Sequence, residues 1–120
     1  MLATFCLAAL IYAEARGESL NGRLLVAETV YNRMDHGAYP DSVCAVVTEA
    51  NQYSLPQSVD EYEAWRTSWL IAAAVTSDPE GTLPRTGATH FYSGKTKPHW
   101  AKVYPLVATS AGHKFYRTTR

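Results

Sequence analysis

Apolar residues return at helical intervals through the first two thirds of the chain and alternate in strand fashion only near its end. In the opening run, Leu7, Leu10, Ile11 and Glu14 fall on one helical face, so a short apolar helix carries a carboxylate on its buried stripe. Gly17 suits the left-handed residue that closes such a helix, which places Glu14 in the last turn, near the surface but backed by core. A second helix is predicted from an N-cap at Ser19 to about Met34, with Leu20, Leu24, Ala27, Tyr31 and Met34 on one stripe and Glu28 on its solvated flank. After a turn at Asp35-His36-Gly37, the apolar segment Val43 to Val47 is predicted as a helix of two turns. Asn51 to Gln57 follows neither period and reads as a polar loop. Ser58 and Glu61 have capping-box spacing ahead of a long helix to Thr76, with Tyr62, Trp65, Trp69 and Ala73 as its apolar stripe.

The period then changes. Ser77 to Ala88 holds two prolines and two glycines and reads as a surface loop. Thr89 to Ser93 and His113 to Arg117 are β-favouring runs, with Val103 to Thr109 a third strand between them and Gly112 supplying a turn. Helices first and a small antiparallel sheet last make the fold class α+β.

With 120 residues and no break in composition, residues 1–120 are expected to form a single domain. Residues 1–63 carry nine acids against three Lys or Arg, and 64–120 carry two acids against eight. Either the two surfaces neutralise each other in the fold, or a basic face meets an anionic polymer. The apolar opening lacks the basic start and polar spacer of a signal peptide and is too short to span a bilayer. The expectation is a chain made in the cytoplasm, without stable membrane insertion. Cys6 and Cys44 are then expected as reduced, buried thiols in preference to a disulfide.

Glycine-rich phosphate loops, Cys-x-x-Cys pairs, His-Glu-x-x-His and Gly-x-Ser-x-Gly are all absent. His90, His99 and His113 lack close ligand spacing, so no metal and no cofactor are expected, and nucleic acid gains no support as a partner. What remains is an acid at a helix end. A carboxyl half-withdrawn from water holds its proton more tightly, the property a general acid needs. Glu14 is therefore the catalytic candidate, and Glu18, beyond the glycine, reads as a solvated or capping acid. Eight tyrosines and three tryptophans suit sugar stacking, although most must also fill the core.

Tyr12-Ala13-Glu14-Ala15-Arg16-Gly17-Glu18, Asn32-Arg33, Tyr39-Pro40-Asp41-Ser42-Val43-Cys44, Gln52-Tyr53-Ser54, Gly87-Ala88-Thr89-His90-Phe91-Tyr92 and Gly112-His113-Lys114-Phe115-Tyr116 occur in this order. Together they resemble the spore-cortex-lytic, SleB-type cell-wall hydrolase family over nearly the whole chain. The resemblance implies a lysozyme-like, lytic-transglycosylase-like fold and cleavage of peptidoglycan between N-acetylmuramic acid and N-acetylglucosamine. It places the catalytic acid at Glu14, substrate contacts at Gln52, Tyr53 and Ser54, and cleft-lining strand residues at His90 and Tyr92. Leu55, Ser93-Gly94 and Glu28 depart from the family pattern, Glu28 standing where a small apolar residue is usual.

The resemblance implies that Glu14 protonates the glycosidic oxygen and then acts as base, toward the sugar's own 6-hydroxyl in a lytic transglycosylase or toward water in a muramidase. A second carboxylate, if one acts, is sought first at Glu18 or Glu28. A non-catalytic peptidoglycan-binding module and a metal-dependent amidase are the alternatives. The implied partner is peptidoglycan, met by a monomer that resembles a bacteriophage endolysin and acts on the bacterial wall after release.

Overall fold

The computed structural model describes residues 2–49 and 58–119. At its centre is α1 (Leu2–Ala15), whose Leu7, Ala8, Leu10, Ile11, Tyr12 and Ala15 are all buried. Apolar residues surround this helix on almost every side because α2 (Leu20–Asp35), α3 (Val43–Val47) and α4 (Tyr62–Ser77) pack around it. Only Leu2 and Phe5 near its start stay exposed, and each buried Leu or Ile contributes about 1.5–3 kcal/mol.

The end of α1 differs from the expected glycine closure. Gly17 does not adopt a positive φ, which among the described glycines is confined to Gly87 and Gly94. Arg23 of α2 reaches back instead, its Nε donating to the Ala15 carbonyl at 3.1 Å and its guanidinium also donating to the Arg16 carbonyl. Orphan carbonyls at a helix end need donors, and a cation supplies them while complementing the helix dipole.

Ser19 caps α2 as expected, accepting from Gly22 N at 3.2 Å. Of the expected stripe on α2, Ala27 is fully buried and Leu24, Tyr31 and Met34 pack half-buried against the core, while Leu20 is exposed and the buried surface extends through Gly22, Leu25, Val26, Thr29, Val30 and Arg33. Glu28, expected on a solvated flank, is 2% exposed. Apolar spacing understated the buried surface because three polar side chains, Glu28, Thr29 and Arg33, belong to it, each with an internal partner.

The N-terminus of α4 also departs from the capping-box expectation. Ser58 Oγ turns to Asp60 Oδ1, and the hydroxyl of Tyr12 accepts from the N–H groups of Asp60 and Glu61, both at 3.0 Å. The buried line of α4 is Ser68, Ala72 and Val75. Trp65 and Trp69 flank it, half-buried against Phe5 and Tyr12 with ring centroids 5.8–6.5 Å apart.

Cys6 of α1 and Cys44 of α3 form a disulfide, which corrects the expectation of reduced thiols. Burial of both segments was foreseen. Their apposition was not, because it follows from α3 folding back on the first turns of α1 and bringing the two Cα atoms to 5.3 Å.

The segment expected to be irregular loop contains a one-turn helix, α5 (Pro79–Thr82), whose N-cap Asp78 accepts from Gly81 N at 3.0 Å. Three strands follow: β1 (His90–Tyr92), β2 (Leu106–Thr109) and β3 (Lys114–Tyr116), with a 3-10 turn over His99–Lys102 after β1. The sheet is antiparallel in the order β1-β3-β2, pairing Phe91 with Phe115 and Ala108 with Phe115, and the β2 register shifts between Leu106 and Ala108. Phe115, in the central strand, is fully buried and joins the helical core. No helix among the described residues is long and apolar enough to cross a membrane.

Candidate active site

Glu14 lies in the last turn of α1, half-buried, with Leu7, Leu10 and Ile11 of the same face fully buried behind it. Beside it, Arg16 lies 4.4 Å over the Tyr12 ring and 3.7 Å from Glu61, so the helix end is braced against the start of α4.

Glu18 is not the solvated acid the spacing suggested. Its Oε1 accepts from Ser110 Oγ at 2.6 Å and Gly112 N at 3.2 Å and stands 3.5 Å from His113 Nδ1. A Cβ on Gly112 would collide with this carboxylate, and one on Gly22 would crowd it at 3.0 Å. The hydrogen bond from Ser110 holds the Glu18 carboxyl below its ordinary value, burial opposes this, and the Gly112 N–H and His113 reinforce it. Glu18 thus ties the turn after α1 to the β2–β3 turn.

Glu28 makes the corresponding tie on the other side of α2. Both of its oxygens are engaged, Oε1 by Thr86 Oγ1 at 2.7 Å and Oε2 by Thr86 N, Gly87 N and Asn32 Nδ2 at 2.9–3.0 Å. Two acids of the acid-rich half therefore serve the acid-poor half as hydrogen-bond acceptors.

His90 and Tyr92 alternate on β1 and meet an aromatic group. The His90 ring lies 4.9 Å from Trp100 and 5.2 Å from Tyr104, while Tyr92 stacks on Tyr116 at 6.0 Å and meets Trp100 at 5.9 Å. His90 Nδ1 is 2.9 Å from Thr89 Oγ1, and its Nε2 is 3.5 Å from the Tyr39 hydroxyl. Burial first, and then the charges of Arg33 and His36, depress the His90 pKa to about 4. The ring is neutral near pH 7, able to share a hydrogen bond with a sugar hydroxyl but not to act as a cation.

Tyr92 and His113 border a cavity of about 340 Å³ completed by Ser93, Gly94 and the β2–β3 turn, within the usual size range of small-ligand sites. Through the Glu18–His113 pair this cavity wall is joined to the chain four residues after Glu14. A second cavity of about 670 Å³ opens between α2 and α5, but it borders none of Glu14, Glu18, His90 and Tyr92. Gln52, Tyr53 and Ser54 lie outside the described residues. Among the described residues His90, His99 and His113 form no group of three or more metal-ligating side chains with Cys, Asp or Glu.

Sequence reasoning missed several residues of this region. Trp100 and Tyr104, spaced one helical turn apart after Pro98, were a readable aromatic pair. The contacts of Ser110 and His113 with Glu18 and of Arg33 with Thr89 had no local signal, since the partners are more than fifty residues distant.

A buried helix that ends in an acid, enclosed by further helices and flanked by a small antiparallel sheet, places the protein in the lysozyme-like class of folds. More particularly, the chain belongs to the Cell Wall Hydrolase family, whose model matches residues 17–116. That match begins three residues after Glu14. Among curated proteins the chain is similar to the spore cortex-lytic enzymes of Halalkalibacterium halodurans, 28% identical over 88% of this chain and 32% of that protein, and of Oceanobacillus iheyensis, 26% identical over 88% and 38%. It thus spans about a third of their length. Among solved structures it resembles the catalytic domain of the germination-specific lytic transglycosylase SleB from Bacillus anthracis, with TM-score 0.73 and 20% identity over 96% of this chain and 93% of that one. The catalytic domain of the Bacillus cereus SleB protein gives TM-score 0.73 and 21% identity over 98% and 91%. The SleB-type resemblance and the α+β, lysozyme-like fold are thereby established.

Proposed function

We propose that the chain cleaves the glycan strand of peptidoglycan between N-acetylmuramic acid and N-acetylglucosamine, using Glu14 as the only catalytic carboxylate. In this mechanism the Glu14 carboxyl donates its proton to the glycosidic oxygen as the C–O bond breaks and positive charge develops at the sugar's anomeric carbon. The substrate acetamide shields that carbon in place of a second protein carboxylate. The Glu14 carboxylate then removes the proton from the 6-hydroxyl, which closes on the anomeric carbon and leaves a 1,6-anhydro end. Gln52, Tyr53, Ser54, His90 and Tyr92 hold the sugars, and the enzyme acts as a monomer at the bacterial wall.

The observation that carries the one-acid form of this reading is the engagement of the other two candidates. Glu18 is committed to Ser110, Gly112 and His113, and both Glu28 oxygens are committed to Asn32, Thr86 and Gly87. A carboxylate tied down by fixed internal donors, at Oε1 for Glu18 and at both oxygens for Glu28, is a weaker nucleophile and a weaker base.

The test is mass spectrometry of fragments released from purified peptidoglycan by the wild type and by Glu14→Gln. The substitution keeps size and shape but removes the transferable proton, so release should fall roughly a hundred- to ten-thousand-fold in a folded protein. Anhydro ends support the intramolecular acceptor, and reducing ends would replace it with water. Free stem peptides, or full release by Glu14→Gln, would overturn the proposal in favour of an amidase or a different acid, and glycan binding without any release would indicate a binding module.

A further inference from the structure

One side of α2 holds, residue by residue, the segment that leads into β1. Glu28 accepts from the side chain and N–H of Thr86 and from the N–H of Gly87. Asn32 Nδ2, one turn later, donates both to Glu28 Oε2 at 3.0 Å and to the Ala88 carbonyl at 2.7 Å. Arg33 Nε then donates to the Thr89 carbonyl at 2.6 Å. On its other side the segment is tied to β3 and the chain beyond it, with Thr89 N donating to the Tyr116 carbonyl at 2.8 Å and Thr118 N donating to Thr89 Oγ1 at 2.9 Å. His90 comes next, its Nδ1 2.9 Å from that same Thr89 hydroxyl.

Glu28 begins this sequence of bonds and is itself buried, 2% exposed. Its removal would leave the N–H groups of Thr86 and Gly87 without their acceptor, and Gly87, at φ +79, would lose the bond that holds it in the left-handed region. Three of the four donors to Glu28 belong to the 86–87 segment, so its loss falls on the approach to β1 more than on α2 itself.

We propose that Glu28 is a positioning residue for glycan cleavage: by fixing the 86–89 segment on α2 it sets where His90 and Tyr92 stand against the sugar. This rests on the reading above, in which those two residues line the cleft. Glu28 does not touch the reacting atoms. It acts on ground-state binding of the sugar, and so on KM before kcat.

Steady-state kinetics on soluble glycan strands provide the test. Glu28→Ala should raise KM about tenfold while kcat stays within about threefold, the pattern of lost uniform binding. Glu28→Gln should rescue: its amide oxygen can accept the N–H bonds now made to Oε2, while its NH2 group donates to the Thr86 hydroxyl, so KM should stay within about twofold of wild type. Thr86→Val, which removes one donor to Glu28 and the acceptor of Ala88 N but leaves the Thr86 and Gly87 N–H bonds to Glu28, carries the same test if Glu28→Ala fails to fold, with a smaller KM rise expected.

Glycan affinity read by tryptophan fluorescence in the Glu14→Gln background should weaken in parallel, which keeps the inference testable when turnover is too slow to measure. Variants that melt earlier but keep wild-type KM and affinity would overturn the positioning role, as would a Gln variant as impaired as Ala. Full turnover by Glu14→Gln would strike the functional reading instead, and a wild-type chain that neither cuts nor binds glycan would overturn both.

Discussion

Removing the Cys6–Cys44 disulfide should cost the protein a large share of its stability. The bridge closes a loop across 38 residues, taking in most of α1, all of α2 and the start of α3. The chain-entropy relation assigns a loop of that length ~4 kcal/mol, and measured disulfides more often deliver about 2–4 kcal/mol. A domain of this size melts with an entropy such that 1 kcal/mol corresponds to about 4 °C, so the expected fall in Tm is roughly 8–16 °C. The assay is scanning calorimetry of three samples: oxidised wild type, wild type in reductant, and the double variant Cys6→Ala/Cys44→Ala. Reduced wild type should melt near the double variant and well below the oxidised protein, and of the two wild-type samples only the reduced one should react with thiol-alkylating reagents before unfolding. A Tm difference below about 3 °C would refute the reasoning, because it would mean that native-state strain or residual structure in the unfolded chain cancels the loop-closure entropy. A free-thiol count of two in non-reduced protein purified from an oxidising compartment would refute the pairing itself.

Two further expectations concern pH. Glu18 has a lowered folded-state pKa, so its contribution to stability is present above its unfolded value near 4.5 and is lost as pH falls through the folded value; Glu18→Gln should lower the neutral-pH arm and flatten the acid part, so that the two curves converge as pH falls. A variant curve parallel to wild type from neutral to acid pH would contradict this. His90 runs the opposite way. Its pKa of about 4 lies below the ordinary 6.5, so the unfolded chain binds the proton first and stability declines as pH drops from 6.5 toward 4. An NMR titration placing the His90 midpoint at or above 6.5 would show that the aromatic group around it is more open to water than described.

Much of the architecture was legible because it depends on short-range pattern. The apolar run from Leu2 to Ala15, the Ser19 cap, the apolar segment Val43 to Val47 and the β-branched and aromatic runs near the end each state a local preference that the fold keeps. Glu14 was legible for the same reason, since helical periodicity alone sets it on the stripe of Leu7, Leu10 and Ile11. The full buried surface of α2 was not. Hydrophobicity cannot rank Glu28, Thr29 and Arg33 above Leu20, because their burial is favourable only when acceptors and donors from residues such as Thr86, Gly87 and Thr89 are brought to them.

The same division separates the three acids. Sequence spacing alone marked Glu14 as an acid backed by core, and could say of Glu18 and Glu28 only that they were acids beside a helix. Tertiary structure decided that Glu18 would meet a turn more than ninety residues away and that Glu28 would anchor the approach to β1. It also decided that Cys6 and Cys44 would face one another. In each case the deciding interaction joins segments distant in the chain, and its geometry exists only after the helices have packed, so no local preference could encode it.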